Sequence, residues 1–203
     1  MKLTNMALLS TVLLAATMTA NVAGVHAADQ LEAKTNATFD VTAGELSLEK
    51  APAFTFETTT LNNVVNDKNA QKQTNTDKNQ LVVSDYRGYG NTWKLTAAMT
   101  PFYLGADQTS ASKINASLIM NADNVATTNG QSAAFAAKTL DSGSNGTTIW
   151  DNTEAATDGA ATATAGFSGS TLKVTDSAQV KAGTYTADIN WTLADVNTKE
   201  ING

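Results

Sequence analysis

The chain has 203 residues, 13 of them basic and 19 acidic, with a formal charge of −6, one histidine and no cysteine. An acidic balance argues against nucleic acid as a partner and against simple electrostatic capture by anionic polymers. The missing cysteines exclude disulfides, thiolate zinc sites and lipidation at a cysteine, so stability must come from burial.

The first residues read as an export signal. Met1-Lys2 gives a short positive start, an apolar run follows from Met6 to Ala20, and Val25-His26-Ala27 offers the small residues a signal peptidase accepts. Cleavage is expected between Ala27 and Ala28. The apolar run is shorter than the roughly 20 residues a spanning helix needs, so no transmembrane segment is expected in the mature chain. Loss of residues 1–27 removes Lys2 and makes the charge one unit more negative. It also removes His26, the single histidine, and with it Ser-His-Asp catalysis and histidine–metal sites. The acids are scattered, no two stand out as a glycoside-cleaving pair, and no Asp-x-Asp-x-Asp-Gly calcium loop is present. No enzyme activity, cofactor or metal is expected.

Residues 28–203 suit one domain with a real core. Short alternating runs at 36–41, 45–49 and 53–58 read as strands, with Pro52 at a turn or edge between the last two. Residues 62–79 are polar and read as a solvated loop or weak helix. Leu81-Val82-Val83 reopens a strand. Next comes a turn with Gly88, Gly90 and Asn91, all tolerant of positive φ, then a strand from Trp93 to Met99 ended by Pro101. From Thr127 to Gly169 small and polar residues dominate. Strand pieces are expected there at 133–137, 147–150 and 163–167, with Ala-Thr alternation lining a sheet against bulkier neighbours. Residues 172–174 and 183–193 close the domain. No long helical period follows the signal. The expected fold is all-β: a single-domain β-sandwich, or a barrel-like form, with long loops over residues 28–203. The polar end, Val196 to Gly203, carries no hydrophobic tail or sorting motif, so attachment at a surface is expected to be non-covalent.

Two segments carry the functional signal. In Trp93-Lys94-Leu95-Thr96-Ala97-Ala98-Met99 the odd positions share one strand face. In Tyr185-Thr186-Ala187-Asp188-Ile189-Asn190-Trp191-Thr192-Leu193 the odd positions do so again. The turn before the first segment holds Tyr86, Tyr89 and Arg87, the chain's only arginine. These paired Trp-x-Leu motifs resemble the WxL family of Gram-positive cell-wall-binding proteins. Leu81 to Gly88 ahead of Trp93-Lys94-Leu95 is similar to the family's first motif region, and Gly183-x-Tyr185 ahead of Trp191-Thr192-Leu193 to its second. The resemblance covers most of residues 30–195. It implies an extracellular protein held without a covalent link at the cell wall, through peptidoglycan or another wall component. It also implies association with other WxL-type surface proteins and with a membrane-anchored partner protein.

Tyr86, Arg87, Tyr89, Trp93, Leu95, Trp191 and Leu193 are the candidate ligand-binding residues. Alternation favours the two tryptophans as core, while aromatic rings also suit sugar faces and protein interfaces. Asp85 with Arg87 reads as a local ion pair. The exposed tyrosines with the arginine would make a recognition loop. Two functions stay open: a module that recognises the wall itself, or a structural subunit of a surface complex retained through its protein partners.

Overall fold

A computed structural model describes residues 36–67, 69–77, 79–105, 113–157 and 160–196. The signal and the Ala27–Ala28 cut lie outside the described residues. The protein is mostly β, as expected, and builds several antiparallel sheets, one curled into a half-barrel. The strands are β1 (Leu46–Lys50), β2 (Gln71–Lys72), β3 (Gln80–Asp85), β4 (Trp93–Met99), β5 (Phe102–Leu104), β6 (Lys113–Met120) and β7 (Ala122–Thr127). They continue with β8 (Lys138–Asp141), β9 (Thr147–Asp151), β10 (Ala161–Phe167), β11 (Thr171–Asp176), β12 (Tyr185–Thr186) and β13 (Ile189–Asp195). One sheet has the order β1-β3-β10-β7, another β12-β5-β6-β11-β2 with β8 also on β6, and a third β13-β4-β9. A bridge from Met99 to Ser142 joins the end of β4 to the residue after β8.

The core follows from alternation. In β4, Trp93, Leu95, Ala97 and Met99 are buried, and in β6 Ile114, Ala116, Leu118 and Met120 are. In β10 the buried positions are Ala161, Ala163, Ala165, Gly166 and Phe167, with Thr162 and Thr164 half-buried. The small alanines leave room for a run of edge-on aromatic contacts: Phe54 to Phe167 at 5.8 Å, Phe167 to Phe135 at 5.2 Å, Phe135 to Trp150 at 5.8 Å and Trp150 to Trp93 at 6.2 Å. Full burial of a phenylalanine such as Phe167 contributes about 1.5–3 kcal/mol.

Some expectations are corrected. Residues 36–41 alternate but have no partner strand, so they form none. Residues 53–58 contribute one bridge, Phe56 to Gln73, because Asn75 takes the Thr55 N–H and the Ala53 carbonyl with its side chain. Residues 133–137 form no strand. Instead Ala134 bonds to Glu154 and accepts the Trp150 indole N–H, while Phe135 fills the aromatic run. The polar stretch 62–79 contains one π-helical turn, Asn63–Asp67, and the short β2. Strands β5 to β8 were not anticipated.

Candidate functional site

The two Trp-x-Leu segments form adjacent strands. β13 runs antiparallel to β4 with Leu193 opposite Leu95, Trp191 opposite Ala97, Ile189 opposite Met99 and Asp195 opposite Trp93. The motifs therefore lie side by side, leucine against leucine, with their tryptophans on opposite sides of the leucine pair. Beyond Thr100, whose N–H donates to the Asp188 carbonyl, β12 pairs with β5. Directly opposed residues point to the same sheet face. Trp93, Leu95, Trp191 and Leu193 thus share one face and pack as neighbours on one core, as alternation predicts.

The two tryptophans are not equivalent. Trp93, on the central strand, is fully buried. Its indole N–H donates to Thr157 Oγ1 at 2.9 Å, its backbone N–H donates to Asn152 Oδ1 at 3.3 Å, and its ring stands edge-on to Trp150. Trp191, on the edge strand, is half-buried, and so are Ile189 and Leu193. A buried indole N–H needs an acceptor, and Thr157 is itself buried. Thr157→Val should therefore lower stability by about 1–3 kcal/mol, whereas Thr157→Ser should restore most of it. Denaturation midpoints of the two variants check this; equal midpoints would remove the hydrogen bond from the account.

The turn between β3 and β4 is set by Gly88 and Gly90, at φ +103° and +82°, with Asn91 Nδ2 donating to the Gly88 carbonyl at 3.1 Å. Tyr89, at its tip, is 85% exposed. Tyr86 is 46% exposed, and its hydroxyl lies 3.2 Å from Thr162 Oγ1. Arg87 departs from the expectation of an exposed recognition side chain: only 14% of it is accessible. It forks onto Asp85, Nε to Oδ1 and Nη2 to Oδ2, both at 2.9 Å, and its Nη1 reaches Asp195 Oδ2 at 2.6 Å. Nη2 also donates to the Thr92 carbonyl. Donating to the Asp85 carboxylate raises the guanidinium above its ordinary pKa, burial opposes this, and Asp195 adds to the rise. The expected Asp85–Arg87 pair is thus present, but it extends into a clasp that ties β3, the turn and the end of β13 together.

Sequence reasoning missed Asn152, Thr157 and Asp195. None has a local signature, because the partners of Asn152 and Thr157 lie 59 and 64 residues away. Among the described residues no group of His, Cys, Asp and Glu could hold a metal ion, and no helix is long and apolar enough to cross a membrane. A shallow polar hollow lined by Lys113, Asn115, Asp176 and Gln179 belongs to the β5–β6 sheet rather than to the paired motifs.

The sequence model of one protein family, described as WxL domain surface cell wall-binding, matches residues 26–196. That span holds both motifs, the turn and the clasp. No curated protein and no solved structure matches the chain.

Proposed function

The chain belongs to the WxL domain family of surface cell-wall-binding proteins, which attach without a covalent link, and from that membership we propose that the Tyr86–Asn91 turn makes the wall contact while the paired motifs frame it. The observation that carries this reading is the contrast in exposure. Tyr89 presents its ring to solvent on a turn held by two glycines and the Arg87 clasp, whereas Trp93 is sealed in the core. An exposed aromatic ring suits the apolar face of a sugar, and a turn braced at its base reduces the entropy lost on binding. Trp191, Leu95 and Leu193 act by placing the strands. The wall component is peptidoglycan, the chain is a binding module rather than an enzyme, and residues 1–27 are an export signal cut between Ala27 and Ala28. Other WxL-type surface proteins and a membrane-anchored protein are its partners in this reading.

Co-sedimentation of the purified chain with purified peptidoglycan tests it. Tyr89→Ala should weaken binding about ten-fold, a loss of about 1.4 kcal/mol, and leave the melting midpoint unchanged. Tyr86→Ala should weaken it less, since Tyr86 is partly engaged with Thr162. Tyr89→Ala that melts and binds like the wild type would remove the turn as the contact. Sedimentation only in the presence of a partner protein would favour the structural-subunit role instead.

A further inference from the structure

β13 is an edge strand, and its register on β4 fixes where its backbone groups point. The Thr100 N–H donates to the Asp188 carbonyl, and the Val196 N–H donates to the Thr92 carbonyl. In the register of β13 on β4 these fall at the two ends of one ladder, so Asn190, Thr192 and Ala194 bond to β4. The N–H and C=O groups of Ile189, Trp191 and Leu193 therefore point away from β4, towards an edge that pairs with no further strand among the described residues, although β1 comes near it. The side chains of these three residues are only half-buried. β13 is seven residues long, pairs with β4 without a bulge, and contains no lysine and no proline. Natural edge strands usually carry such features to block pairing.

The same chain holds a segment with a strand's alternation that pairs with nothing among the described residues. Asn36 to Thr42 alternates small polar residues with Ala37, Phe39 and Val41, and it forms no sheet pairing. Phe39 is 87% exposed and Val41 80%. Apolar residues at 37, 39 and 41 have the same spacing as Ile189, Trp191 and Leu193. We propose that the free edge of β13 accepts the Asn36–Thr42 segment of a second copy of this chain, in antiparallel register, so that copies associate by strand donation. Phe39 then lies beside Trp191 and covers its exposed half, Ala37 lies beside Leu193 and Val41 beside Ile189. Asp40 falls opposite Asn190, so no like charges meet.

A second copy fits better than the chain's own segment. The Gly44 N–H is tied to the Tyr86 carbonyl, next to the Arg87 clasp that holds the Asp195 end of β13. In this register Thr42 would sit by Asp188, about 23 Å from Asp195 along the strand. Thr42 and Gly44 are two residues apart, a reach of about 7 Å. A segment from another copy meets no such restraint.

The absence of cysteine makes the test clean. On the wet face Thr38 falls opposite Thr192 as a non-hydrogen-bonded pair, with Cα atoms about 4.5 Å apart, close enough for a disulfide. Purified chains carrying Thr38→Cys and chains carrying Thr192→Cys are mixed and mildly oxidised. Cross-linked pairs should exceed those from either variant alone about ten-fold, because docking raises the effective thiol concentration. Adding Phe39→Asp to the Thr38→Cys chain should return cross-linking to background with an unchanged melting midpoint, since Phe39 is outside the core. Yields no higher than from the single variants overturn the proposal. So does a Thr38→Cys/Thr192→Cys double variant that closes mainly within one chain, and so does wild-type protein that sediments as a monomer at high micromolar concentration.

Discussion

Trp93→Ala is expected to lower the free energy of unfolding by about 3–5 kcal/mol, against a total of about 5–15 kcal/mol for a domain of this kind. The ring sits on the central strand of its sheet, fully buried, and is edge-on to Trp150. Its removal leaves a cavity walled by strands that cannot collapse far, because β4 is held on both sides by β9 and β13. It also leaves the buried Thr157 hydroxyl without its donor. Trp93→Phe keeps most of the apolar volume and should cost less, mainly the lost hydrogen bond. Denaturant titrations run beside peptidoglycan sedimentation distinguish scaffold from contact. Trp93→Ala should lose wall binding only to the extent that it unfolds. If it melts like the wild type and still fails to bind, the ring is the ligand surface and the burial argument is wrong.

Alternation made the strands that matter here legible. Trp93 to Met99 reads as a one-sided strand and is one, whereas Leu81 to Val83 reads as a strand from a continuous apolar run and β3 is buried on both faces. The Ala-Thr run in β10 was readable because small residues beside large aromatics have a packing reason. Alternation also pointed to a strand at 36–41. There the pattern is real, but a strand needs a neighbour, and neighbours are set by long-range pairing that a single sequence does not display. Residues 133–137 failed differently. A short apolar pattern containing Phe135 fits a strand or an irregular plug equally well, and the Trp150 indole, bonding to Ala134, holds the irregular form.

The candidate site was legible only in part. Both motifs and the tyrosine turn could be named, but not that their two strands pair side by side. The division of labour between the tryptophans could not be read, because both occupy the same local pattern. One lies on a central strand and the other on an edge. Topology, not the motif, decides their burial. Arg87 was misjudged for a related reason. A glycine-rich turn suggests exposure, but a long side chain on such a turn can fold back, and the second carboxylate that draws it in is Asp195, 108 positions along the chain.

That placement changes what Arg87→Ala should do. From the sequence the variant would keep the fold and weaken binding directly. With Asp85 only 3% exposed, removing its forked partner leaves a buried carboxylate without a counter-charge. Loss of one partner of such a pair costs about 3–5 kcal/mol. Lysine presents a point charge and cannot replace both Nε and Nη2, so Arg87→Lys should recover little. The double variant Arg87→Ala/Asp85→Ala should be more stable than Arg87→Ala alone, since it removes the stranded charge. Asp195 is about half exposed, so Asp195→Ala should cost only about 0–1 kcal/mol. The raised pKa of Arg87 means its contribution is complete below the ordinary arginine range and is lost only as pH rises through the raised value. Alkaline buffers short of that should therefore not loosen the clasp. Denaturation midpoints of the four variants, with hydrogen exchange followed along β13, read the effect out. Arg87→Ala should unfold earlier and speed exchange towards Asp195, where the clasp ends. An Arg87→Ala variant with the wild-type midpoint and weakened wall binding would return the guanidinium to the recognition surface.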